Sequence, residues 1–293
     1  MMELRTHSER TFQWVNGVFF ILLCFSMIAP ILHLLAVSLS STVYANSRLV
    51  VLWPKGFQVS VYETLFGMRE MWKGMGVSVY ITLMGTFLCL VFTSSLAYSL
   101  TRPQMPCRRI ITRLILFTFI FSVPLIPSYL VVKSLGMINS LWSLIIPGAL
   151  GAYNVFIMKT FFQGISSELI DAMKIDGSGE FGVYARLVLP LSAPVLATIA
   201  LFHSVGTWNA YFGALIYIRD KSLFPLQLLL KNLISSSSAD NGLDAIGIHS
   251  GVTTSPETLK AAAILFTTVP ILIVYPFLQR YFVKGAMLGS LKE

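Results

Sequence analysis

The chain has 293 residues, 55% of them hydrophobic and only 12% charged, with a mean hydropathy of +0.75. Ordinary soluble domains carry about 25% charged residues, so the composition argues against a soluble enzyme, a disordered protein, a collagen or a disulfide scaffold and for a polytopic membrane protein. The net charge of +8 reads as Lys and Arg gathered in cytoplasmic loops rather than as a nucleic-acid surface.

Six apolar stretches reach the roughly 20 residues that a bilayer crossing needs: 15–39, 76–100, 110–132, 140–162, 191–217 and 260–280. Arg5 and Arg10 precede the first. That run outlasts a cleavable signal core of about 7–15 residues, so a retained span is expected after an N-terminal segment 1–14. His33 lies within it as a packing or capping residue. The first span and its external loop occupy 15–69, and the hydrophilic stretch 40–75 contains Trp53-Pro54-Lys55-Gly56. Trp14, Trp72 and Trp142 fall near span ends, where amphipathic rings favour the interface. Six spans place both termini on one side. Arg102, Arg108, Arg109 and Arg113 in the short segment 101–113 make that side the cytoplasm.

The hydrophilic segment 163–190 reads as structured. Ser167 is the expected N-cap of a short helix, with Glu168 and Asp171 in or near its first turn, where the helix dipole favours acids. Gly177 is placed to end that helix in a left-handed conformation. Ser178 is the expected cap of a second helix, bounded by Pro190. Two short helices with a glycine elbow form a knob that fits a cleft on a cytoplasmic partner; an ordinary interfacial helix is the bland alternative. Residues 218–259, with the Ser235–Ser238 run and Asp240-Asn241-Gly242, read as a flexible external loop. The tail is 281–293.

Catalytic patterns are missing: there is no G-x-x-x-x-G-K-[ST], no H-E-x-x-H and no G-x-S-x-G. His7, His33, His203 and His249 are scattered singly, which is poor spacing for a metal. Cys24, Cys89 and Cys107 give an odd count without paired spacing.

The pattern Asp171-Ala172-Met173, then Gly177, then Leu187-Val188-Leu189-Pro190 resembles the cytoplasmic loop of bacterial ABC-importer permeases, E-A-A, three residues, G, nine residues, I-x-L-P. Asp171 replaces Glu, Met173 replaces Ala and Leu187 replaces Ile. Met173 adds bulk, which suggests a specific fit to a partner. Val123-Pro124-Leu125-Ile126-Pro127, Leu135-Gly136-Met137-Ile138-Asn139-Ser140, Trp208-Asn209 and the tail 279–292 are similar to the carbohydrate branch of that family. The likeness covers about 70–293, and within the branch it is to the maltose-permease second-subunit type, including permeases for oligosaccharides of acidic polysaccharides such as alginate.

That resemblance implies an all-α integral membrane protein with six transmembrane helices of the type I permease fold. It implies a permease core over 70–280 and a coupling helix in the loop 163–190. The chain would be a non-catalytic subunit in a bacterial cytoplasmic membrane. Its implied partners are a second permease in a heterodimer, two ATP-binding cassette subunits that hold ATP and Mg, and a periplasmic or extracellular solute-binding protein that the 218–259 loop could touch. No cofactor is expected on this chain. Glu168, Asp171, Ala172, Met173, Asp176 and Gly177 would form the ATPase-coupling site, with Lys174 as solvated charge beside it. A sugar path needs hydroxyl partners and aromatic faces, and polar residues in hydrocarbon must face protein or water. Asn154, His203, Trp208, Asn209 and Tyr211 are the candidates; interhelical packing is their alternative role. Trp208 and Tyr211, three apart, would share a helical face. A stand-alone secondary transporter is the alternative function, disfavoured because none of the 13 acids falls centrally in a span; a membrane enzyme ranks last.

Overall fold

A computed structural model describes residues 7–121, 123–235 and 255–290, with side chains over 12–121, 123–235 and 255–276. The described residues are helical and fall into two units, 1–69 with 232–268, and 70–231 with 269–293. The Asp240-Asn241-Gly242 turn, most of the Ser235–Ser238 run and the side chains of the 279–292 tail lie outside the described residues.

In the first unit, α1 (His7–Ser38) is followed by the short α2 (Thr42–Asn46) and α3 (Ser60–Gly67). Hydrogen bonds bind the segment after α1 into one piece: Lys55 N–H donates to Ser40 Oγ at 3.0 Å, and Gln58 N–H to Leu39 O at 2.9 Å. Ser38 Oγ meets Tyr62 OH at 2.7 Å. His33 Nδ1 lies 2.6 Å from Val51 O, so this histidine fastens the following loop to its own helix. Ser255 Oγ reaches Asn46 Oδ1, and Phe66 meets Phe266 edge-on at 6.0 Å between ring centroids.

In the second unit the long α4 (Arg69–Thr101) is the spine. Its buried residues recur as Ser78, Thr82, Cys89 and Thr93, one face of a helix. The stretches expected as the third and fourth spans are each broken. α5 (Arg108–Ile120) and α6 (Leu125–Ser134) are parted before Pro124, and α7 (Trp142–Ile145) and α8 (Ala152–Gln163) are parted around Gly148 and Gly151. Pro fixes φ and pushes the preceding residue out of the helical region, which gives the first break. The fifth is bent as well. α9 (Ser167–Ile175) leads to α10 (Glu180–Val183), which passes through a π-helical turn, Tyr184–Val188, into α11 (Leu189–Leu191). The wide turn lies just before Pro190, which has no N–H to continue the ladder. At Ser192 the chain bends by 76° into α12 (Ala193–Asn209). By length and apolarity 12–38, α4 and 256–276 can each cross a membrane, and the 180–191 and 193–209 limbs do so only if joined. At about 1.5 Å per residue, the 17 residues of α12 fall short of a roughly 30 Å hydrocarbon core.

The expected flexible loop at 218–259 does not hold for its first part. After α13 (Phe212–Tyr217) and a 3₁₀ turn at Lys221–Leu223, α14 (Leu226–Ser235) buries Leu226, Leu228, Leu229 and Leu230. Leu226 N–H donates to Ser78 Oγ at 2.8 Å. A Cβ on Gly74 would sit 3.3 Å from Phe224 O and 3.4 Å from Leu226 Cα, so glycine eases the close approach of this segment to α4. The final helix is α15 (Pro256–Ser290).

Candidate functional site: the 163–190 elbow

α9 is amphipathic, and its seating decides which residues remain available. Ile170 is buried, and Met173 packs beside it, in a cluster with Ala97 and Tyr98 of α4, Met158 and Phe162 of α8, and Val195 and Ile199 of α12. Met173 thus turns into the protein, and its bulk is used for seating rather than offered to a partner. Glu168, Asp171, Ala172, Asp176 and Gly177 remain exposed. Two large apolar residues join them: Ile175 is 86% exposed and Phe181 79% exposed. Both could have been noticed as apolar residues interrupting a charged segment.

The caps differ by one residue from expectation. Ser166, not Ser167, is the N-cap, its Oγ accepting from Glu168 N–H at 3.2 Å. Gly179, not Ser178, precedes α10, because Ser178 is used to close the previous helix. Gly177 has φ +84°. Its N–H donates to Lys174 O, and the Ser178 N–H to Met173 O, both at 3.0 Å. This is a Schellman closure, and its left-handed position favours glycine.

Lys174 is not solvated charge. Its Nζ lies 2.6 Å from Glu180 Oε1 across the elbow. The other oxygen, Glu180 Oε2, accepts from Tyr98 OH at 2.7 Å, and Arg102 Nε lies 3.8 Å from it. The Arg102 guanidinium sits 4.2 Å over the Tyr98 ring, a cation–π geometry. Lys174 first, then Tyr98, hold the Glu180 carboxyl below the usual carboxylate range. Ser94 Oγ and Tyr184 OH add a parallel tie at 2.7 Å. Sequence reasoning missed Glu180 as a hub because Tyr98 is 82 residues away.

The candidate path residues do not converge. Asn154 Nδ2 faces Cys89 Sγ at 3.7 Å. His203 Nδ1 meets Thr86 Oγ1 at 3.2 Å, and its Nε2 meets Gly148 O at 3.2 Å; it joins α4 and the α7–α8 break to α12. Trp208 is buried and lines an apolar cavity of about 200 Å³ with Val79, Leu83 and Val274. Asn209 is exposed and donates to Val205 O at 2.9 Å. Tyr211, 41% exposed, lies beyond the end of α12, so it and Trp208 do not share a helical face.

Residues 90–287 match the family described as binding-protein-dependent transport system inner membrane component. The chain belongs to that family. It is therefore a non-catalytic ABC-importer permease subunit of the inner membrane, all-α and of the type I permease fold. It is 40% identical to the polygalacturonan/rhamnogalacturonan transport system permease protein YtcP of Bacillus subtilis (strain 168), over 97% of this chain and 99% of that one. It is 41% identical to Protein LplC of the same organism, over 90% and 89% of the two chains. Among solved structures it is similar to a chain from the crystal structure of a bacterial ABC transporter involved in the import of the acidic polysaccharide alginate. The TM-score is 0.87 at 28% identity, covering 96% of this permease and 100% of that chain.

Proposed function

We propose that this permease is the membrane-spanning subunit of an ATP-driven importer of oligosaccharides, acidic ones in particular. It pairs with a second permease and takes substrate from a solute-binding protein. It couples to two ATPase subunits, which hold ATP and Mg, through the elbow from Asp171 to Gly177. Both termini lie in the cytoplasm on this reading. The observation that carries it is the elbow itself. A helix seated on the core by Ile170 and Met173 leaves Asp171, Ala172, Ile175, Asp176 and Gly177 exposed together, the arrangement that a partner's cleft needs. The acidic preference is supported by what two relatives are named for, polygalacturonan and alginate. Asn209, the last residue of α12, and Tyr211, just past it, are both exposed and are the path-facing candidates.

The test is purification of the complex with its ATPase and second permease, followed by uptake in proteoliposomes. Asp171→Arg places a cation on the exposed face and is expected to lose the ATPase while keeping the second permease. Retention of both the ATPase and uptake would overturn the coupling role. Uptake of uronic-acid oligosaccharides should exceed that of neutral ones of equal length; the reverse order would overturn the acidic preference alone. Uptake by this chain without ATP would mean a secondary transporter.

A further inference from the structure

We infer that Glu180 is a positioning residue that carries movement of the elbow into α4, an inference that rests on the coupling role proposed above. A Cβ added at Gly177 or Gly179 would meet nothing within 4 Å. The glycines themselves are therefore unpacked, while the two arms are seated on the same core, Ile170 before the bend and Val183 and Val188 after it. Between the arms the side-chain bonds thus add to the two backbone bonds that close the turn. Ile170 and Met173 seat the body of α9 but lie before the bend. Across the bend, the Glu180 carboxylate is engaged on both sides. Oε1 takes Lys174 of α9 at 2.6 Å, and Oε2 takes the Tyr98 hydroxyl of α4 at 2.7 Å. Charge-assisted bonds of this length are the strong ones.

Tyr98 is itself packed in the core. Its ring is 7% exposed within the core cluster, against Tyr184 at 5.1 Å and under the Arg102 guanidinium. Arg102 Nε is buried without a hydrogen-bond partner among the described residues, and Glu180 is the acid beside it. Displacement of α9 is therefore passed through Lys174 and Glu180 to the end of a 33-residue helix. Glu180 lies three residues past Gly177, in none of the positions that carry the family pattern. The Ser94–Tyr184 tie bypasses the elbow and serves as the internal control.

The experiment uses the assembled transporter in proteoliposomes and reads substrate imported per ATP hydrolysed. Glu180→Gln and Tyr98→Phe should retain the ATPase on copurification and continue to hydrolyse ATP. Import per ATP should fall roughly fivefold or more, the lower end of common coupling between sites. The double variant should be no worse than the weaker single, since residues in one link do not act additively. Tyr184→Phe should leave the ratio unchanged. Unchanged ratios in both singles would overturn the inference, as would an equal loss in Tyr184→Phe, which would indicate general loosening. Should Glu180→Gln fail to assemble, Tyr98→Phe, which removes one oxygen from a packed ring, decides. A wild-type complex that imports nothing with ATP would overturn the coupling role as well; normal coupling in wild type and variants overturns this inference only.

Discussion

Asn139, held at φ +60°, accepts the backbone N–H of Asp220 on its side-chain oxygen at 2.9 Å, 81 residues further along the chain. The same oxygen takes Arg219 N–H at 3.0 Å, and Asn139 N–H donates to Tyr217 O at 2.8 Å. One amide thus fixes how the chain leaves α13 toward α14.

Asn139→Ala removes two accepted hydrogen bonds and forces a Cβ-bearing residue without local compensation into the left-handed region. The expected loss is about 2 kcal/mol. Asn139→Gly relieves the backbone but still lacks the acceptor, so its loss should be smaller. Thermal unfolding of the purified complex in detergent checks the order. Gly less stable than Ala would contradict this account.

Gly177→Ala adds a Cβ that meets nothing, so its cost is that of the left-handed backbone alone, roughly 1–2 kcal/mol. Gly177→Pro also removes the N–H that donates to Lys174 O and should cost more. The local measurement is hydrogen exchange at the Ser178 amide, which donates to Met173 O. Exchange should quicken in the order wild type, Ala, Pro. Equal protection in all three would mean the turn does not depend on glycine.

The pH dependence of the elbow follows from Glu180. Its folded-state pKa lies below the ordinary value of 4.5. Its stabilising contribution is therefore fully present above that value and is lost as pH falls through the lower folded-state pKa. The carboxylate is half exposed, so solvent screening limits the contribution to below about 1 kcal/mol. The stability gap between wild type and Glu180→Gln should be constant from neutral pH down to mild acidity and shrink only at more acidic pH. A gap that narrows near pH 7 would point to another group.

The elbow was legible because its information is local. Gly177 sits where a helix of that length must stop, and the spacing to Pro190 carries over the second arm. The cap position slipped by one because Ser166 and Ser167 are chemically equivalent, and only geometry chooses between them. The break in the third span lies where Pro124 must kink or end a helix, whereas the break in the fourth escaped because apolarity averaged over 20 residues ignores a Gly151. Leu226 to Leu230 was read as loop because an apolar run too short to cross a membrane carries no crossing signal, although it can be buried against Ser78. The Glu180 hub depends on residues from two distant helices, and no spacing rule links them. Asn154, His203 and Trp208 were read as path residues because they are polar or amphipathic within apolar runs. Residue type does not tell a path from a packing contact, and their neighbours are Cys89 and Thr86 of α4, Gly148 O and an apolar cavity.

None of the apolar window of α1 within 12–38 is buried inside the chain. Apart from its C-terminal end, where His33 and Ser38 are tied to Val51 and Tyr62, the helix gains little from the described residues beyond its backbone bonds, so its stability is set by whatever medium or molecule surrounds it. Substitutions along Phe19, Ile21, Phe25 and Met27, each more than half exposed, should leave the rest of the permease folded and register instead as changes in solvation. The first helix is in this sense a sensor strip: scanning it reports on the neighbours of the protein rather than on the protein.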